Sequence, residues 1–423
     1  MRRTRRSTRA ATPSRSCRAT GRRRPRSASR PAEPGNSRAH PHSGSPGDAG
    51  LHPQRQGGTT REEIPPMKTM KGYVIQEKGR ADWQKVPLPE IGPYDALVRP
   101  TAVATCTTDV HLIDSLALPN ALGKVIGHEA VGVVEQVGDL VADFAAGDRV
   151  VLPAGLADWR HPRAQRGEGK FHQSKSPYFS DDPTNGGWFS EVVKCFDADS
   201  NLAHIPDGVT DVQAVFVDDM AATAFTGVER MEIQFGEVVV VLGVGPVGLM
   251  GVAAAALRGA GRIVAVDSRL DRMTLATQYG ATDLIDYTQG DIYGQIMALT
   301  GGAHVDSVLV ASGGSASDQI TTAMRITKFG GHVSVVSGFF DDETVTLPMD
   351  VWNYGVMEKF LTAAQANQGR DYMERLLLLI ANGKLDTQPL ATHVLHGWDK
   401  VGASLELMRS RDQSVVKPVV IVD

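Results

Sequence analysis

Residues 237–259 read EVVVVLGVGPVGLMGVAAAALRG. Four valines and a leucine in a row are what a strand buried on both faces requires. The run stops at Gly243, and an apolar, alanine-rich stretch that fits a helix follows from about 246 to 259. Between them stand Gly243, Gly245 and Gly248 in the spacing G-x-G-x-x-G. By itself that spacing is a weak signal, because an ordinary glycine turn also satisfies it. After a strand and before a helix it acquires a mechanical meaning. Gly243 allows the tight turn, Gly245 lets the backbone approach a pyrophosphate, and Gly248 lets helix and strand pack closely. The free N–H groups and the positive dipole end of the helix favour phosphate there. The next apolar run, RIVAVD, ends at Asp267, where a carboxylate can accept hydrogen bonds from a ribose diol.

The same alternation extends outward. After RIVAVD comes a helical pattern near 269–279, and DLIDY, VDSVLVAS and GHVSVVSG supply three more strands. Strands alternating with helices predict a parallel sheet covered on both faces. Upstream the pattern is different. KGYVIQ, DALVRPTAVA, EAVGVVEQVG, DRVVLP and WFSEVVKC are strand-like, while residues 155–187 are polar and rich in Gly and Pro. Downstream, helices are expected near 371–382 and 399–410, then a last strand in VVKPVVIV. The chain is read as α/β. A β-rich domain spans 67–222, a doubly wound dinucleotide-binding domain spans 223–362, and a segment from 363 to 423 returns to the first.

Composition limits what else the chain can be. Of 423 residues, 42% are hydrophobic and 22% charged, as in a protein with a substantial core. No apolar run is long enough for a membrane span, so no membrane partner is expected. Cys17, Cys106 and Cys195 form no disulfide framework, which suggests a reducing, cytoplasmic setting. The net charge of −4 hides two unlike parts: residues 1–66 carry +11 from 15 Arg and 4 acids, and the remainder carries −15. Residues 1–66 lack the apolar side chains needed to offset the entropy of ordering them, so they are read as disordered. An Arg tract can bind nucleic acid without sequence preference. The preferred reading is an upstream extension outside the working protein, with Met67 or Met70 as the functional start.

A second constellation concerns chemistry. Residues 127–138, GHEAVGVVEQVG, place His128 and Glu129 at the entrance to a strand. Upstream, CTTDVH carries Cys106 and His111. Thiolate, imidazole and carboxylate are zinc ligands, and catalytic zinc keeps a position open. A further ligand is expected in DVQAVFVDDMAATAFTGVERM, read as one helix from 211 to 231. Its adjacent Asp218 and Asp219 lie in apolar surroundings, and a buried carboxylate is costly unless paired or metal-bound. Periodicity leaves open which of the two faces inward.

GHEAVGVVEQVGDLV matches the signature G-H-E-x-x-G-x-x-x-x-x-G-x-x-V at every fixed position. With GVGPVGLMGVAAAALRGAGRI, THVLHGWDKV and DWR at 158–160, it makes the chain resemble the zinc-dependent medium-chain alcohol dehydrogenases from about Met70 to Val422. Within that family it is most similar to the tetrameric bacterial branch that acts on secondary alcohols and is usually NADP-linked.

The resemblance implies a GroES-like catalytic domain beside a Rossmann domain, and a homotetramer. It implies one catalytic zinc on Cys106, His128 and Asp219, with Glu129 as an exchangeable fourth ligand. Three anionic ligands would leave the site at a formal charge of −1, so Glu129 is expected to leave when substrate arrives. Thr108 and His111 match the proton-relay positions, and Trp159 matches a substrate-pocket residue. The substrate would be a small alcohol, ketone or aldehyde; polyol or formaldehyde dehydrogenation on the same scaffold is the alternative. A zinc-free quinone reductase would not need Cys106, His128 and Asp219 together. Two departures stand out. Residues 155–187 hold no cysteine, so no structural zinc is expected. Ser268 and Arg269 match residues that hold a 2′-phosphate, but Asp267 opposes them, so NAD is expected over NADP.

Overall fold

The computed structural model describes residues 68–422, except 118–119, 177–184, 340–341, 356 and 411. The reading of residues 1–66 lies outside the described residues. In chain order, the first part carries β1 (Thr69–Glu77), β2 (Arg80–Pro87), β3 (Ala96–Ala104), β4 (Glu129–Val137), β5 (Arg149–Leu152), β6 (Val193–Cys195) and β7 (Ala203–His204). The middle carries β8 (Val238–Leu242), β9 (Arg262–Asp267), β10 (Asp283–Asp286), β11 (Val305–Val310), β12 (Thr327–Val335) and β13 (Phe360–Ala363). The last segment adds β14 (Ala391–His396) and β15 (Lys417–Ile421).

The middle strands form a six-stranded sheet in the order β10-β9-β8-β11-β12-β13, and every pairing in it is parallel. The valine run quoted above is β8, at the centre of this sheet. The sequence doubles back on either side of it, which makes the β8 C-terminal end the switch point where ligands bind in open parallel sheets. The helix Pro246–Leu257 follows, with Gly245 as its N-cap and Pro at its first turn. Eight of its residues are buried, which explains why its sequence is apolar all round.

The second large sheet is ordered β14-β15-β3-β4-β5-β7, with β6 also on β3. The last segment therefore supplies two strands to the sheet of the first part. β15 is antiparallel to β3, pairing Val420 with Val103. One apolar core includes Ala102, Ala104 and Val131 of this sheet together with Val239 and Val241 of β8. Residues 155–176 hold only two 3₁₀ turns, Ala164–Arg166 and Gly169–Phe171. Among the described residues no helix is long and apolar enough to cross a membrane.

One expectation needs correction. The stretch read as a single helix over 211–231 is broken into Asp211–Ala214, a π turn at Val217–Ala221, and Ala222–Glu229. Ala221 N–H bonds back five residues, to the Phe216 carbonyl at 2.9 Å. Such turns insert one residue into the helical repeat and are frequent at functional sites.

The glycine motif also shows a tight constraint. A Cβ on Gly248 would lie 1.9 Å from the Gly243 carbonyl oxygen, a backbone atom that cannot swing aside. Gly248→Ala should therefore destabilise the fold by about 1–3 kcal/mol. Thermal denaturation reads the loss; an unchanged Tm would mean that the helix and loop are not held this closely.

Candidate metal centre and dinucleotide cleft

Cys106 is the extended N-cap of the helix Thr107–Ser115, and the Asp109 carboxylate accepts its N–H at 2.9 Å. This fixes the thiol at the helix entrance. Gly127 has φ +98°, and a Cβ there would strike the Phe189 ring at 2.4 Å, so only glycine lets the chain turn into β4 here. The turn delivers His128 and Glu129 to the same pocket. His128 Nδ1 lies 3.0 Å from Asp109 Oδ1. A carboxylate can only accept, so Nδ1 carries a proton toward Asp109, and a metal in the pocket would take the lone pair of Nε2.

The π turn separates the two aspartates. Asp218 turns away and accepts the Ala154 N–H. Asp219 Oδ2 turns in, 3.3 Å from His128 Nε2 and 3.9 Å from Cys106 Sγ. Both carboxylates lie in the interior, and an irregularity that no helical repeat contains directs Asp219 toward Cys106 and His128. One ligand atom each of Cys106, His128, Glu129 and Asp219 lies within 4.8 Å of the others.

Lys417 on β15 was not singled out from the sequence. It is 1% exposed, and its Nζ lies 2.5 Å from Glu129 Oε1. The signal that could have flagged it is a lone lysine inside the otherwise apolar VVKPVVIV. Burial works against its charge, but Cys106, Glu129 and Asp219 outweigh that and hold its pKa above the usual lysine value. Burial would likewise raise the Cys106 thiol, yet Lys417 and His128 draw it below its ordinary value. Burial would raise Asp219 too, and the hydrogen bond and charge of His128 bring it down. Glu129 is pushed well up, by burial first and then by Asp219 and Cys106, with Lys417 opposing.

The charge count changes accordingly. Three anions, one ammonium and Zn²⁺ sum to zero, rather than to the −1 expected without Lys417. Glu129 Oε2 is buried and has no hydrogen-bond partner. A buried acceptor with nothing to accept from, beside an imidazole nitrogen and a thiol with lowered pKa, is a donor set that fits a zinc ion.

Thr108 and His111 stand one helical turn apart on Thr107–Ser115, both half-buried. Their neighbour Thr107 lines a cleft of about 660 Å³. Its other walls include Gly243, Gly245, Asp267, Ser268, Arg269, Arg272 and Tyr287. The cleft thus sits at the end of β8 and adjoins the helix that begins at Cys106. Gly248 lies in the helix behind it. Asp267 is 8% exposed; its Oδ2 accepts the Val244 N–H at 2.9 Å and its Oδ1 accepts those of Ser268 and Arg269 at 2.7 and 3.1 Å. Ser268 Oγ and Tyr287 Oη are 3.0 Å apart. Tyr287 and Arg272 were missed in the sequence, although Arg272 follows Arg269 by three positions at a helix start and so shares its face. Trp159 is held in the irregular lobe, where its Nε1 donates to Asn201 Oδ1 at 3.0 Å and its ring packs over Gly169 and Gly369.

Known proteins share both halves. Residues 92–207 match the alcohol dehydrogenase GroES-like domain, and residues 246–377 match the zinc-binding dehydrogenase family. An NADP-dependent isopropanol dehydrogenase of Thermoanaerobacter brockii is 41% identical over 356 residues, covering 84% of this chain and 100% of its own. The protein of that name from Clostridium beijerinckii is 38% identical, with 84% and 100% covered. Among solved structures, the alcohol dehydrogenase TADH of Thermus sp. ATN1 superposes with a TM-score of 0.75 at 28% identity, covering 84% of this chain and 100% of that one. Both isopropanol dehydrogenases are named NADP-dependent, so they lend no support to the expected preference for NAD.

The geometry separates ligands from their supports. Cys106→Ser and Asp219→Asn should each abolish the one zinc per chain expected in the parent. Asp109→Asn, which weakens the hold on His128 but removes no ligand, should lower zinc affinity by about 10–100-fold. Elemental analysis after dialysis against graded chelator is the check; two zincs per chain, or full retention in Cys106→Ser, would refute the assignment.

Proposed function

The chain belongs to the zinc-binding medium-chain alcohol dehydrogenase family, and from that we propose that it moves hydride reversibly between a small secondary alcohol and a nicotinamide dinucleotide. The observation that carries this reading is the adjacency of the Cys106–His128–Glu129–Asp219 cluster to the β8 cleft, bridged by the helix Thr107–Ser115. Cys106, His128 and Asp219 would hold the zinc, with Glu129 as a fourth ligand that Lys417 can retain when it leaves. When bound, zinc supplies Lewis-acid polarisation of the substrate oxygen. Asp109 holds His128 in the tautomer the metal needs. Thr108 takes the substrate proton and His111, one turn along, passes it outward. Trp159 limits the size of the substrate from the lobe. The glycines of β8 and its helix admit the pyrophosphate to the backbone amides. The working form in this reading is a cytoplasmic homotetramer.

Cofactor choice rests on a contest of charges. Asp267 ends β9 where it can accept from both ribose hydroxyls of NAD, and we keep NAD as the preferred cofactor on that ground. The names of the relatives favour NADP, and so does the presence of Ser268, Arg269 and Tyr287 in the lining of the same cleft. Like charges about 4 Å apart repel by roughly 1–4 kcal/mol as wetness decreases. Three backbone N–H bonds hold the carboxylate facing the cleft.

The test is one panel: 2-propanol, ethanol, sorbitol and formaldehyde, each with both cofactors. The parent should turn over 2-propanol best and favour NAD. Asp267→Gly should raise the NADP/NAD ratio of kcat/KM by about 10-fold or more. Thr108→Ala should lower kcat by about 10²–10⁴-fold while retaining zinc. A parent that favours NADP would remove Asp267 as the selector, and best turnover of sorbitol would move the protein to the polyol class.

A further inference from the structure

The dinucleotide cleft has a wall that the Rossmann domain does not supply. Leu407, Met408, Asp412 and Val415 line it from the segment that completes the other domain. Two of these residues engage the arginines at the adenosine end. Arg269 Nη1 donates to the Asp412 carbonyl at 3.2 Å, and Arg272 Nη2 donates to the Val415 carbonyl at 3.0 Å. The turn that presents these carbonyls is shaped by its own side chains. The Asp412 carboxylate accepts from Ser414 N and Oγ at 2.8 and 2.6 Å, and the Asp412 carbonyl also receives the Val415 N–H at 3.2 Å.

We propose that the 412–415 turn is a clamp on Arg269 and Arg272, and that Asp412 is a second determinant of cofactor choice alongside Asp267. The proposal rests on the reading that this cleft takes a nicotinamide dinucleotide. A 2′-phosphate needs guanidinium donors aimed at its oxygens, and planar forks do this best when two N–H groups are available together. Here one donor of each fork is already directed at a backbone carbonyl of the opposite domain. A cofactor ending in a 2′-hydroxyl makes no such demand and can bind with the clamp closed. Arg272 also keeps a buried Nε with no hydrogen-bond partner. That donor stays turned away from the cleft while its neighbour on the same fork remains on Val415. NADP must release the turn from Arg269 before it can use that residue, and NAD need not. The clamp thus adds to the bias of Asp267 without placing another charge against the ribose. Asp412 is itself exposed, so its carboxylate acts mainly by holding the turn in shape.

The experiment measures dissociation constants for NADH and NADPH by cofactor fluorescence on the full chain, without alcohol, so that catalysis plays no part. Asp412→Ala removes the acceptor that shapes the turn and should tighten NADPH by about 5–10-fold, with NADH unchanged within about 2-fold. Asp412→Asn keeps an oxygen acceptor for Ser414 and should behave like the parent. In an Arg269→Met background the effect of Asp412→Ala should vanish, because the group being released is gone. An unchanged ratio in Asp412→Ala, an equal shift in Asp412→Asn, or a shift that persists without Arg269 would overturn the clamp. If the parent binds both cofactors and prefers NADPH, the NAD reading fails while the clamp is still judged by these shifts. If the parent binds neither, the clamp falls together with the cofactor reading.

Discussion

The ammonium of Lys417 meets Glu129 Oε1 inside a pocket that also holds Cys106, His128 and Asp219, and nearly all of it is closed to water. Gathering a thiolate and two carboxylates in so dry a space would be prohibitive without compensation, since each would protonate or expel its neighbours. The lysine supplies a fixed positive charge where the metal supplies the rest. Its charge helps to draw Cys106 and Asp219 toward their anionic forms, whereas burial drives Glu129 the other way against it. Removing one partner from such a group leaves a buried charge uncovered, which costs far more than the intact pair contributes.

Around that charge balance the backbone is arranged by three local devices. Asp109 ties the start of a helix to the imidazole of a strand, so Cys106 and His128 are set relative to each other by one carboxylate. Gly127 turns the chain beneath Phe189. The π turn at Val217–Ala221 sends Asp219 into the cluster and Asp218 to Ala154. None of these is a large energy on its own, but together they bring ligands from a helix, a strand and a broken helix to within 4.8 Å of one another.

Much of this was legible in the sequence. The valine run, the three glycines and the following alanines specify a central parallel strand and its helix because each local preference agrees with the others. The His128–Glu129 pair was legible because it sits in a signature of fixed spacing, and Cys106 because it stands in CTTDVH upstream as a thiol beside a histidine. The π turn was not, since a 3.6-residue repeat cannot register a single inserted residue. Lys417 was hidden because its meaning depends on a partner 288 positions away, and a lysine in a strand ordinarily reads as an edge residue. Asp267 was correctly placed at the end of its strand. Its three backbone N–H bonds depend on the path of the glycine loop, which side-chain pattern does not reveal.

The position of β15 in the catalytic sheet has a temporal meaning during synthesis. The six-stranded sheet is built from one uninterrupted stretch, Val238 to Ala363, so it can close as soon as that stretch has emerged. The other sheet cannot close then: β3 still lacks β15 as a neighbour, and Glu129 still lacks Lys417. Domains generally fold as units in the order in which they are made. This chain departs from that order, because the domain begun first is finished last. Through that interval the acidic cluster has no ammonium, and its carboxylates must stay hydrated or protonated. The compensation for its buried charge therefore arrives only with β15, the last strand to be made among the described residues.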